Sequence, residues 1–448
     1  MQTQFYTSIG YSFTRVLYFF LTTVLSPIIF LKILFRLRNS QKFIPEILNR
    51  FFGILVGIEG IESYRKAKTR VWIHAVSVGE THAAIPLMRE LLLKDNNCNI
   101  LLSNTTISAF NFFNSASTKD KILSERVIHC FSPIDFIWAV KLFLNSCIPQ
   151  IAIFIETEIW PNFVNELSKR NIKTVLANGR LSKKSFKNFK NFSWLSKPTL
   201  EKFSLILVQN EIDKKRFLKL TNKIKIIVTG NTKFDSLASN ELIKKGLEWR
   251  RYFFKKSIWL ALSTRENEEK KIFEVWSKNK PKDAILIVVP RHPERFGWVF
   301  QQAKKAGFVV TRRSEFSNHD LGSSTFLNTD VVVGDTMGEI TAYARFADLA
   351  LIGGSIINCG GQSPIELCSQ GCPVFFGPYM SNFRSISKQL CLTCAGFEID
   401  SYEAWIFQGL NLLSNNKKFV NSRKAASEFV LNNKGASSLT VSKIVPLV

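Results

Sequence analysis

Three carboxylates stand where strands give way to turns, a setting in which a carboxylate can take up a proton or meet developing positive charge. Glu80 ends the run Trp72-Ile-His-Ala-Val-Ser77-Val-Gly79-Glu80-Thr81, a strand passing through a Gly-Glu turn into a helix. A carboxylate there lies at the carboxyl edge of a sheet and reads as a general base for an attacking alcohol. It reads equally as a charge favourably set against the helix dipole. Glu156 and Glu158 follow the apolar strand Ile151 to Ile155 and, at i and i+2 of an extended segment, point the same way. Like charges that close suit a site where positive charge develops or where one carboxyl keeps its proton. Capping the next helix, or pairing with an arginine, is the simpler use. Arg180, in Asn178-Gly-Arg180-Leu-Ser182, and Lys233, in Gly230-Asn-Thr-Lys233-Phe-Asp235, end two more strands and bring cations to the same edge. Together these groups form a mixed-charge rim suited to phosphates and carboxylates. His74 lies within its strand and reads as a core histidine.

A second constellation occupies the later half. The β-branched run Val331 to Val333 ends at Gly334-Asp335, and the apolar run Leu349 to Ile352 ends at Gly353-Gly354. A glycine-containing loop, Asn358 to Ser363, then enters Pro364-Ile365-Glu366-Leu, with proline suited to a first helical position. Gly371 reads as the stop of that helix and Pro373 to Phe376 as the next strand. A glycine loop entering a helix at the carboxyl edge of a parallel sheet is a place for phosphate. Glu366 is placed to accept hydrogen bonds from ribose hydroxyls. Pro290-Arg291-His292-Pro-Glu-Arg295 leaves the strand Ala284 to Val289 and offers a guanidinium and an imidazole to the same phosphate. Ser263-Thr264-Arg265-Glu-Asn-Glu-Glu269 reads first as a capped helix start. The chain therefore handles a nucleotide.

Positioning these residues requires alternating strands and helices. Strands are expected at 71–76, 99–103, 151–155, 174–177, 205–209 and 225–229, then at 258–261, 284–289, 307–311, 331–333, 349–352 and 373–376. That alternation predicts parallel sheets covered by helices on both faces, and 448 residues leave room for two such domains. Charged residues cluster without a strand around 236–256, which is read as the linker. The expected organisation is an anchor at 1–40, a first domain at 41–235 and a second at 257–448.

Lys and Arg outnumber Asp and Glu by 60 to 35, a formal charge of +25 that favours anionic partners. Hydrophobic residues make up 46% of the chain, too many for a disordered basic tail. A nucleic-acid binder would interleave its aromatic and basic residues; here phenylalanine mostly occupies apolar runs. Eight cysteines scattered over this length form no disulfide framework, and Cys391-Leu-Thr-Cys394 has no second pair at zinc spacing. No GxxxxGK[ST] is present, which removes the P-loop hydrolases. Val16 to Leu31 carries no charge and is followed by Lys32, Arg36, Arg38 and Lys42. This reads as a membrane anchor, either spanning or lying in the surface, with the rest of the chain on the cytoplasmic side.

Taken in order, HAVSVGE, ETEIWPN, NGRLS, GNTKFD, STRENEE, PRHPERF, GDTMGEI and GGS with the GGQSPIE helix resemble the Kdo (3-deoxy-D-manno-octulosonate) transferases of lipopolysaccharide core synthesis. The likeness runs over nearly the whole chain. It implies a GT-B glycosyltransferase fold, two Rossmann-like domains facing across a cleft, with an N-terminal membrane-anchoring helix at the inner membrane. It further implies CMP-Kdo as donor, a tetra-acylated phosphorylated lipid A precursor as acceptor, inversion at the anomeric carbon, and no required metal or other cofactor. By motif matching, Glu80 is the proton acceptor, and Lys233 with Glu156 or Glu158 supports the transition state. Pro290, Arg291, His292, Met337, Gly338, Glu339, Gly354, Ser363, Pro364, Ile365 and Glu366 hold CMP, with Ser77, Gly79 and Arg180 on the acceptor side. The partners expected are this donor, this lipid and an anionic leaflet, not nucleic acid. The alternative is another membrane-associated transferase of the same fold that uses a UDP-sugar. The chain departs from the family pattern at Arg265, where His is common, at Gly179, where Ala is, and at Gln362-Ser363, where His-Asn is.

Overall fold

The structure, a computed structural model, describes residues 18, 20, 22–24, 26–28, 31, 43–55, 57–236, 238–253, 256–318 and 328–447. Two compact units divide the chain, one of Met1–Ser236 with Lys434–Val448 and the other of Leu237–Asn433.

The first unit holds seven strands: β1 (Thr69–His74), β2 (Cys98–Asn104), β3 (Val127–Phe131), β4 (Ile151–Ile155), β5 (Lys173–Gly179), β6 (Leu205–Val208) and β7 (Ile226–Val228). Every pairing is parallel, in the order β3-β2-β1-β4-β5-β6-β7. Central strands such as β4 are buried along their whole length, which explains their unbroken apolar runs. Two apolar layers flank the sheet. In one of them Trp72 is ringed by Phe143, Phe154 and Phe163 at 5.0, 5.3 and 5.0 Å between centroids.

The second unit repeats the plan with β8 (Ser257–Thr264), β9 (Ala284–Pro290), β10 (Val310–Arg312), β11 (Val331–Val333), β12 (Leu349–Ile352), β13 (Val374–Phe376) and β14 (Gly396–Glu398). Its sheet is also parallel, ordered β10-β11-β9-β8-β12-β13-β14. Trp259, Trp276 and Trp405 meet edge-on in its core. In each sheet the chain crosses over its first strand at the centre, which sets β4 beside β1 and β12 beside β8; in the second sheet β11 also inserts between β9 and β10. Loops leaving the carboxyl ends of those strands diverge there and leave a crevice, the usual ligand position in such sheets.

The domain expectations need two corrections. Most of the expected linker is the helix Asn240–Tyr252, which belongs to the second unit. Its buried stripe is narrow: Trp249 is under the Arg313 guanidinium, and a Cβ on Gly246 would meet the Ala342 carbonyl at 2.5 Å. The many charges around that stripe are solvated and hide it in the sequence. Residues 434–448 return to the first unit, where Asp235 accepts hydrogen bonds from the Gly435 and Ser437 N–H groups, both at 2.6 Å. This caps the last helix, Ala436–Ile444. The expected anchor at 1–40 lies almost wholly outside the described residues. Among the described residues no helix is long and apolar enough to cross a membrane.

Candidate active site

At the reversal point of the first sheet the residues after β1 and β4 come together. The helix Val78–Lys94 begins with a capping box. Ser77 Oγ accepts from Glu80 N, and Glu80 Oε2 accepts from the N–H groups of Val76 and Ser77. The two readings of Glu80 are therefore both physical, because one carboxylate oxygen caps the helix while the other makes no hydrogen bond among the described residues. Burial, with Glu158 and Glu156 close by, pushes the Glu80 carboxyl up to about 8; the two backbone donors oppose the shift without cancelling it. Such a group is poised as a base near neutral pH.

Glu156 is held at φ 60°, left-handed backbone that a glutamate rarely adopts. Strain of this kind, on the order of 1 kcal/mol or more, persists where the surroundings enforce it. Here it accompanies an ion pair with Lys233, Nζ to Oε1 2.6 Å, both side chains mostly buried. Lys233 Nζ also lies 3.9 Å from where a Cβ on Gly79 would stand, so the ammonium reaches the turn that carries Glu80. Glu158 accepts from Trp160 Nε1, and burial raises its carboxyl despite that bond, with Glu156 adding to the rise.

The turn carrying Lys233 is tied down by residues to which the motif reading assigned no role. Asn178, also left-handed at φ 53°, accepts from Thr232 N at 3.1 Å, and Thr232 Oγ1 donates to the Ala83 carbonyl at 2.7 Å. Asp135 plays the same part for the Glu158 loop. Its carboxylate takes the N–H groups of Asn162 and Phe163 at the start of the helix Pro161–Lys169, and the hydroxyl of Tyr18. A cavity of about 390 Å³ opens beside this loop, lined among others by Tyr18, Phe136, Glu158, Trp160 and Phe189. Arg180 stands apart from the acidic cluster: its backbone N–H donates to the Glu156 carbonyl, while its side chain acts on Asp213. His74 is fully buried, bonded to Ser103 Oγ at 3.0 Å, and burial drives its imidazole down to about 3.

These shifts carry a signed expectation. Any reaction that needs ionised Glu80 rises with pH and levels off above about 8. Glu158→Gln removes one negative neighbour, so the rising limb of the pH–rate profile moves to lower pH. It moves only part of the way, because burial is the larger cause. Stability runs in the opposite sense: a folded carboxyl raised from 4.5 to about 8 favours folding fully below 4.5, and that advantage is lost as pH climbs through 8.

The second unit brings its own predicted residues to one sheet edge. Pro290 ends β9, and the Arg291 N–H that follows donates to the Thr264 carbonyl at the end of β8. His292 Nε2 accepts from Arg265 Nη1 at 2.8 Å. Gly354, after β12, has φ 67° and donates to the buried Glu268, and the Gly361 N–H returns to the Gly354 carbonyl. That bond folds the glycine loop back toward Ser363, Pro364, Ile365 and Glu366. Glu366 accepts from Thr341 Oγ1 at 2.7 Å, which joins this loop to the turn of Met337, Gly338 and Glu339. Met337 and Gly338 are open at the turn, whereas Glu339 is committed to Lys245 and Arg313 at 3.0 and 2.5 Å. Pro364 precedes the helix Ile365–Ser369 instead of opening it.

One local expectation fails. The stretch 263–269 does not form a Ser/Thr capping box: Asn267 precedes the helix Glu268–Asn279 and makes no side-chain cap. Glu268 instead accepts from Arg265 N, Gly354 N and the Tyr402 hydroxyl. Glu269 accepts from Thr264 Oγ1 and pairs with Arg295. Two buried carboxylates thus brace the loops, and Arg295 is structural.

The sequence profile of 3-deoxy-D-manno-octulosonic-acid transferase (kdotransferase) matches residues 52–236. The chain is 33% identical over 375 residues to a 3-deoxy-D-manno-octulosonic acid transferase of Haemophilus influenzae, covering 82% of this chain and 84% of that protein. It is 30% identical over 428 residues to the transferase of that name in Rickettsia bellii, covering 93% and 96%. In structure it resembles a glycosyltransferase of Rickettsia africae with a TM-score of 0.56 at 15% identity, covering 85% of this chain and 98% of that one. That likeness speaks to the fold alone, two parallel-sheet α/β domains of the GT-B-like kind. Sequence identity sustained over whole lengths speaks to more: the chain belongs to the 3-deoxy-D-manno-octulosonic acid (Kdo) transferase family.

Proposed function

We propose that this chain is an inverting glycosyltransferase that moves Kdo from CMP-Kdo to a hydroxyl of a tetra-acylated, phosphorylated lipid A precursor. The observation that carries the reading is a carboxylate raised to about 8, beside a Lys–Glu ion pair, at the reversal point of a parallel sheet. Glu80 takes the proton of the acceptor hydroxyl as its oxygen attacks the anomeric carbon, and the bond to the CMP phosphate breaks on the opposite face. Lys233 and Glu156, held as a pair, meet charge that shifts during this displacement. In the second unit Arg291 and the N–H groups of the glycine loop receive the phosphate, so the leaving group is stabilised without a required metal. Glu366 and the turn at 337–339 hold the nucleoside.

The acceptor side is consistent with a lipid bisphosphate at an anionic leaflet. Lys183, Lys184, Lys187 and Lys190 are exposed on the helix Lys183–Asn191, and the exposed Phe192 and Trp194 follow directly. Basic and aromatic side chains in that combination favour the membrane interface. The proposed location is the cytoplasmic face of the inner membrane. Isothermal titration tests the donor: CMP should bind the purified protein, and UDP should bind more weakly. Tight UDP binding with no response to CMP would move the chain to a UDP-sugar transferase.

A further inference from the structure

Arg265 lies outside every group so far assigned to the nucleotide. It is the first residue after β8, beside the reversal point of the second sheet, and Ser263 just before it is held left-handed at φ 58°. Its side chain lies against the Gly353-Gly354 turn: a Cβ on Gly354 would come within 3.3 Å of Arg265 Cγ and 3.7 Å of Nε. The guanidinium donates from Nη1 to His292 Nε2, while Nε is shielded from water and has no hydrogen-bond partner. Arg291 stands close enough for Arg265 to help lower its pKa, after burial.

Two guanidiniums and an imidazole thus share one rim; the two buried carboxylates beside it are used elsewhere, and the exposed Glu294 faces only the imidazole. Glu268 serves two backbone N–H groups and Tyr402, Glu269 serves Thr264 and Arg295, and Glu294 is 3.9 Å from His292 Nδ1. Among the described residues neither Arg265 nor Arg291 forms an ion pair. Cations grouped this way repel one another until anions arrive. A phosphodiester brings a single negative charge, which Arg291 can meet. The second guanidinium calls for a second anionic group on the same ligand, and an arginine fork matches a carboxylate.

We propose that Arg265 binds the carboxylate of the sugar being transferred and so selects an acidic sugar over a neutral one. This rests on the CMP-sugar donor reading above. The two anions of such a donor are separated by comparing CMP, which carries only the phosphate, with CMP-Kdo, which carries both. In Arg265→Gln the dissociation constant for CMP, measured by titration, should stay within about twofold of the parent. The KM for CMP-Kdo should rise roughly 10- to 100-fold, the loss expected for a charged hydrogen-bonded contact. Arg265→Lys, which keeps the charge but not the fork, should recover part of that loss. A parallel fall in CMP affinity would place Arg265 on the phosphate and overturn the assignment, and so would an unchanged KM. Failure of the parent protein to bind CMP at all would instead overturn the donor reading, and this inference with it.

Discussion

Glu80→Gln is expected to lower kcat by roughly 10²- to 10⁴-fold, the usual contribution of a positioned general base, while CMP affinity stays at the parent value. Glutamine keeps the size of the side chain and can still accept from the Val76 and Ser77 N–H groups through its one amide oxygen. The helix start should therefore survive, and the melting temperature should stay close to that of the parent. That combination separates the two uses of the residue. A side chain needed only as a cap would lose stability or nothing; a base loses turnover alone. The residues proposed to hold the nucleotide lie in the other unit, so titration with CMP reports whether that proposed donor half is intact. Retained turnover in this variant would remove Glu80 from the proton path.

Lys233→Met is expected to reduce kcat roughly 10²- to 10³-fold, a loss typical of removing one preorganised charge from a transition state. It should also destabilise the protein by about 3 kcal/mol, because it strands Glu156, whose side chain is only 12% exposed, without its cation. The double variant Lys233→Met with Glu156→Gln removes both charges and should regain most of that stability. Activity should not return with it. Denaturation curves and single-turnover rates on the three proteins distinguish a structural ion pair from a catalytic one. Should the double variant regain both stability and rate, the pair would be structural.

Much of this arrangement was legible because it is written locally. β4, β9 and β12 are unbroken apolar runs, since strands buried on both faces have no polar side to show. The motifs that end them were visible for the same reason: Gly, Asn, Glu and Lys interrupt those runs abruptly. β3 is hidden because His129 and the polar helix before it break the pattern, and β14 because Gly396-Phe-Glu398 offers a single large apolar side chain, whereas the equally short β11 and β13 are wholly apolar. The roles of Asn178, Thr232, Asp235 and Asp135 were hidden for a different reason. Their hydrogen bonds span 54, 149, 200 and 27 residues, and no local pattern records a partner that distant. The raised pKa of Glu80 is likewise a product of the fold, since burial and two glutamates from another strand create it. In the sequence Arg265 reads as part of a helix start because acidic residues follow it; in the structure Glu268 and Glu269 are committed to backbone N–H groups, Thr264, Tyr402 and Arg295.

The most direct test is the mass of the product. Incubating the protein with CMP-Kdo and tetra-acylated lipid A precursor, then weighing the lipid by mass spectrometry, should show the acceptor gaining the mass of at least one Kdo residue. The gain should be lost with Glu80→Gln. An unmodified lipid in the parent reaction, under conditions where CMP binds, would contradict the proposed transfer.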